Sequence, residues 1–122
     1  MSEIPNDERC CPPDCCDMRG FLTFQILWEL RTENLNGQQI AERIWKRRGG
    51  NKPTPGTIYP ALKELKEKSM ITGEKDGNQI IYHLTVEGKA ELEDAARYFF
   101  QAFGDIIEES KTLFVIKGKC DC

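Results

Sequence analysis

A mainly α fold with a small β-hairpin and a long C-terminal helix is predicted by three features of this sequence. Residues 52–68 form a short amphipathic segment, apolar at Ile58, Leu62 and Leu65 and cationic at Lys63, Lys66 and Lys68. Two β-rich runs then flank the turn signal Asp76-Gly77-Asn78. Beyond Thr85, Leu92, Phe99, Ile106 and Leu113 recur every seven residues. Helix, basic helix and hairpin in that order describe a winged helix-turn-helix to which the last helix is appended.

The elements follow in chain order. Phe21 to Leu30 is apolar over a wide face and long enough for a buried first helix, ending before Glu33-Asn34. Asn36-Gly37 opens a second helix over Gln38 to Arg47, with Ile40, Ala41, Ile44 and Trp45 on one face and Gly49-Gly50 as its stop. Trp28 and Trp45 are expected to be packing residues on these faces. For the third helix, Thr54 or Thr57 can supply the cap, and Pro60 favours Thr57: that start places the proline in the first turn, where its missing N–H costs nothing. The strands of the hairpin lie on either side of residues 76–78, and the single histidine, His83, falls in the second as a solvent-facing or hydrogen-bonded residue. Thr85 is a plausible cap for the last helix, in which Ala95, Ala96, Ala102 and Phe103 widen the stripe. A helix of roughly 28 residues extends about 42 Å, further than a small domain covers, so part of its face requires a second chain. Leu92, Phe99, Phe103, Ile106 and Leu113 are the expected contacts of a homodimer. The chain thus divides into an N-terminal extension (1–18), the winged helix (19–86), the dimerisation helix (87–117) and a tail (118–122).

The net charge of −3 is unusual for a nucleic-acid binder until it is distributed. Residues 41–69 sum to about +5, while the stretches before Gly20 and after Val86 each sum to about −3. Thr57, Tyr59 and Lys63 are the expected groove contacts, with Arg47, Arg48, Lys52 and Lys75 neutralising phosphates and Thr54 and Lys66 completing the surface. A winged-helix module that binds protein instead of DNA is the alternative. With one histidine, no nucleophile paired to a base, no phosphate loop and no paired acids, the chain is not expected to be an enzyme. No apolar run approaches the roughly 20 residues that span a bilayer and no basic-then-apolar leader opens the chain, which predicts a cytoplasmic protein without a membrane partner.

Gly56-Thr57-Ile58-Tyr59-Pro60-Ala61-Leu62, the Leu65 and Ile71 that follow, and Tyr82-His83-Leu84-Thr85-Val86-Glu87-Gly88 together resemble the PadR family of winged-helix transcriptional regulators. The resemblance extends from about Arg19 to about Phe114. It implies binding of double-stranded DNA, dimerisation through the C-terminal helix and a palindromic operator with half-sites about one DNA turn apart; an occupied operator near a promoter most simply blocks polymerase, so repression is the expected output. Some short members sandwich flat ligands between aromatic side chains at the dimer interface, a role that would fall here to Tyr98, Phe99, Phe100 and Phe103; core packing is the competing assignment. This chain departs from the family at the wing, where Asn78, Gln79, Ile80 and Ile81 stand in place of the usual cations and leave Lys75 as the obvious one.

All six cysteines fall outside the winged helix: Cys10-Cys11 and Cys15-Cys16 flank Pro12-Pro13-Asp14, and Cys120 and Cys122 close the chain. A Pro-Pro-Asp turn can fold the first two pairs toward each other, and clustered thiolates suit zinc or another thiophilic metal, cuprous copper, arsenite or an iron-sulfur cluster. Thiol–disulfide sensing and inert tails are the alternatives. Adjacent cysteines match no standard zinc-finger spacing.

Overall fold

The computed structural model describes residues 21–113. The two terminal extensions, and with them all six cysteines, lie outside the described residues.

The first helix, α1 (Leu22–Leu30), buries Leu22, Ile26, Leu27 and Leu30, which fall three or four residues apart on one face. A two-residue strand, β1 (Leu35–Asn36), leads into α2 (Gly37–Arg48). Here the Asn36 side chain accepts from the Gln39 N–H while the Gln39 side chain accepts from the Asn36 N–H, a reciprocal capping box. Gly49 and Gly50 end α2 with φ of 75° and 76°, a left-handed pair that side-chain-bearing residues resist. The Trp45 indole N–H donates to the Gly50 carbonyl at 2.8 Å and fixes this turn.

The third helix, α3 (Pro55–Glu67), starts earlier than Pro60 predicts. Thr54 is extended, as a residue before proline prefers, and its carbonyl accepts from both Thr57 and Ile58 N–H at 2.9 Å. Pro55 occupies the first helical position, so Thr57 is the third residue of the helix and not its cap, and Pro60 lies inside it. The carbonyl that Pro60 leaves without its N–H partner is that of Gly56, which is exposed to water, and burial of Ile58, Ala61, Leu62 and Leu65 holds the turn together. At the other end Ser69 adopts φ 61°, with its N–H on the Lys66 carbonyl and the Met70 N–H on the Leu65 carbonyl. This is a Schellman closure with serine where glycine is usual.

Strands β2 (Ile71–Asp76) and β3 (Gln79–Leu84) pair antiparallel from Ile71↔Leu84 to Asp76↔Gln79, and Gly77, at φ 66°, opens the two-residue turn between them. The expected hairpin is present, but β1 adds a third strand that sequence patterning missed: Leu35 pairs with Tyr82 and Asn36 with Ile81, giving the order β1-β3-β2. His83 is partly buried in β3, its Nε2 3.3 Å from a Glu74 carboxylate oxygen.

Helix α4 (Val86–Ser110) is capped by Thr85, whose hydroxyl accepts from the Gly88 N–H at 2.9 Å. It runs to Ser110, and at this end the hydroxyls of Ser110 and Thr112 each donate at 2.8 Å to a carbonyl one turn back, on Ile107 and Glu109. Leu92 is 3% exposed and belongs to the core beside Ile71 and Tyr82, which corrects its assignment to a dimer contact. Phe99 and Phe103 also face inward: Phe24 stacks on Phe99 with centroids 5.9 Å apart, and Phe21 meets both rings edge-on. These aromatic contacts seal α1 to α4. Phe100 and Ile106 stay 73% and 59% exposed, as does Leu113 at 58%, so no described residue covers the outer part of this helix.

Candidate nucleic-acid interface

Ile40, Ala41 and Ile44 of α2 pack against the buried side of α3, which fixes the outward side of α3 by default. At 3.6 residues per turn, Tyr59, Lys63 and Lys66 fall within a sector of about 60°, centred roughly 120° around the helix from the buried residues. All three are exposed, and neither Lys63 nor Lys66 has an ion pair among the described residues. Their charge is therefore free to attract phosphate. Thr54 and Thr57 stand at the N-terminal tip of α3 with their hydroxyls 3.2 Å apart. Amide N–H groups and the helix dipole favour an anion at such an end.

The cations of α2 and the following turn are differently placed. Arg47 turns toward α1, where its Nε donates at 2.6 Å to Glu29, a carboxylate only 3% exposed. A buried carboxylate needs such a partner, so Arg47 is a structural cation whose charge is largely spent inside the chain. Arg48 reaches Gln25 on the same side. Lys52 remains beside the tip of α3 but pairs with Glu42 at 2.9 Å, and Arg43 pairs with Glu33, whose hydrogen bond raises the guanidinium above its ordinary value. The sequence groups Arg47, Arg48 and Lys52 together as phosphate contacts; the structure separates them by their partners.

The wing approaches the same surface. Lys75 is exposed near its tip and has no ion pair among the described residues, while Asp76 follows it directly, so the wing carries little net charge. Gln79, at the start of β3, accepts from the Asn36 side-chain amide at 2.6 Å. Asn36 thereby caps α2 and ties the base of the wing to it, a double role that the Asn36-to-Gln39 capping pattern only half reveals. Tyr82 lies beneath, its phenol pushed above the ordinary value by burial and, second, by Tyr59.

On the opposite side, Phe21, Phe24, Trp28, Phe99, Phe100 and Ile107 line an open groove of about 430 Å3 between α1 and α4, with Glu29 and Arg47 also on its wall. No helix among the described residues is long and apolar enough to cross a membrane.

The model of the transcriptional regulator PadR-like family matches residues 26–94 of this chain. Transcriptional regulator YqjI of Escherichia coli (strain K12) is 36% identical over 77 residues, covering 62% of this chain and 37% of that protein. The chain thus spans little more than a third of the length of the curated relatives it matches. Among solved structures, a transcriptional regulator of Thermoplasma acidophilum is 28% identical with a TM-score of 0.62, over 80% of this chain and 94% of that one. A PadR family transcription regulator of Clostridium difficile R20291 is 25% identical with a TM-score of 0.59, over 72% and 99%.

Proposed function

This chain belongs to the transcriptional regulator PadR-like family, whose members regulate transcription through DNA and are not enzymes, and on that premise we propose that it is a repressor. It binds a palindromic operator as a homodimer, laying α3 of each copy in the major groove. The observation that carries this reading is the exposed Tyr59–Lys63–Lys66 face of α3, whose lysines have no ion pair among the described residues. Thr54, Thr57 and Lys75 flank that face and complete the contact, with Arg48 and Lys52 at its margin. The exposed Phe100, Ile106, Ile107 and Leu113 meet the partner's α4.

Lys63→Ala is expected to lower affinity for a duplex selected by the wild-type protein by about 1–3 kcal/mol per half-site, and to relax preference at one base pair. Lys66→Ala should instead weaken all duplexes alike and reduce the salt slope by about 1 per protomer. Binding titrations from low to moderate salt separate the two. Affinity indifferent to salt for the wild type would overturn the DNA assignment of this face and favour an apolar protein partner.

The effector we propose is a thiophilic metal held by Cys10, Cys11, Cys15 and Cys16, with Cys120 and Cys122 as further ligands. Thiolate donors in two adjacent pairs support zinc or a softer ion. Protein purified without oxygen should retain metal that a Cys15→Ser, Cys16→Ser variant loses, and adding zinc should change operator affinity at least about tenfold, the scale of ordinary allosteric coupling. A response to peroxide in place of metal would establish thiol–disulfide sensing. The groove between α1 and α4 favours a second effector class, a flat apolar ligand, whose binding would quench Trp28 fluorescence.

A further inference from the structure

We propose that Gly37, the first residue of α2, is a positioning residue for base recognition that acts through Tyr59. The inference rests on reading Tyr59 as a groove contact.

A Cβ on Gly37 would stand 2.6 Å from the Tyr59 hydroxyl oxygen, 2.7 Å from Cζ and 2.8 Å from Cε1. The phenol therefore occupies the volume that any side chain at position 37 would need. The backbone at this position does not call for glycine. Gly37 is absent from the positive-φ residues, it begins a helix already capped by Asn36, and alanine is the better helix former. The three atoms nearest to the missing side chain all belong to the ring of Tyr59.

That ring is 45% exposed and stands between two clefts. One, of about 310 Å3, is bounded by the turn residues Pro53 to Pro55, and the other, of about 360 Å3, by Asn78 to Ile80 at the base of the wing. The Cα of Tyr59 is held by its neighbours Ile58 and Leu62, both about 1% exposed, so a residue larger than glycine at 37 cannot move the backbone of α3 cheaply. The phenol yields instead, rotating into one cleft or the other. Hydrogen bonds to base edges tolerate only a few tenths of an ångström before they weaken, so the rotated hydroxyl loses its partner. The phosphate contact by Lys66 stays where it is.

Gly37→Ala should therefore separate stability from recognition. Its thermal midpoint is expected to equal or exceed that of the wild type, because the displaced atoms are the free end of an exposed side chain and the helix gains propensity. Affinity for a duplex enriched by in-vitro selection with the wild-type protein should fall at least about tenfold, while affinity for a scrambled duplex of the same length stays within about twofold. In a Tyr59→Ala background, Gly37→Ala should cost nothing further, the mark of two residues acting as one. A lowered midpoint, an undiminished preference for the selected duplex, or a second full loss in the Tyr59→Ala background overturns the inference while leaving the DNA-binding reading intact. Undiminished affinity of Tyr59→Ala alone overturns the groove role of Tyr59, and the inference with it.

Discussion

Gly88→Ala should destabilise the domain by at least about 3 kcal/mol, the upper range for forced overpacking, and lower its thermal midpoint by more than about 10 °C. The added Cβ would stand 2.0 Å from the Met70 carbonyl oxygen, 2.9 Å from the carbonyl carbon and 3.0 Å from Leu84 Cδ1. Unlike the tyrosine ring over Gly37, the obstructing group is backbone. It is also held in place: the Met70 carbonyl accepts from the Thr85 N–H at 3.1 Å, and the Thr85 hydroxyl donates to the neighbouring Ser69 carbonyl at 2.7 Å. Relieving the overlap must break those bonds or lift the first turn of α4 from the sheet, which uncovers Leu92 and Ile71. Equilibrium denaturation followed by circular dichroism measures the loss. A change smaller than about 1 kcal/mol would mean that the α4 start can slide at little cost, contrary to what two hydrogen bonds and a buried leucine imply.

The second large effect is expected further along the same helix. Phe100→Glu should convert the proposed homodimer to monomers at micromolar concentration and reduce affinity for the selected duplex more than about a hundredfold, since an aromatic anchor in an interface contributes about 2 kcal/mol or more and two half-sites bind jointly only when linked. Phe100 is 73% exposed in the single chain, so the substitution has little to disturb in the fold. Sedimentation equilibrium and circular dichroism together distinguish the outcomes. A folded Phe100→Glu dimer with full affinity would remove this part of α4 from the interface; a wild-type protein that sediments as a 14.0 kDa monomer would remove the dimer itself.

Much of this architecture could be read from residue order, because its signals are local. The period of α1 and α2, the Gly49-Gly50 stop, the Asp76-Gly77-Asn78 turn and the Thr85 cap each depend on a few consecutive side chains, and each has its counterpart in the structure. Features that failed to show are those decided by distant partners. Two residues, Leu35 and Asn36, form a strand only because β3 lies beside them. Pro60 is tolerated inside α3 because packing against α1 and α2 outweighs one lost helix bond, which weighing Pro60 alone could not anticipate. Leu92 shares a seven-residue repeat with Ile106 and Leu113, yet the domain ends between them, so one is core and the others are surface. Among the cations, the sequence offers identical charges at Arg47 and Lys63; only the tertiary fold brings Glu29 to one and leaves the other open. The close approaches at Gly37 and Gly88 involve atoms 22 and 18 residues away respectively, and no neighbouring residue announces them.

Because Ser69 and Met70 are bonded to Thr85, the last turn of α3 and the first turn of α4 meet at a common fulcrum. Over 25 residues α4 acts as a lever: a tilt of about 5° at that fulcrum sweeps its far end by roughly 3 Å, given a rise of 1.5 Å per residue. In the proposed dimer the leverage also works in reverse, so a modest displacement where two such arms met would swing the reading heads at their bases apart or together. DNA offers those heads a fixed pitch of about 34 Å per turn, and a change in arm angle would thus be felt as a change in gauge.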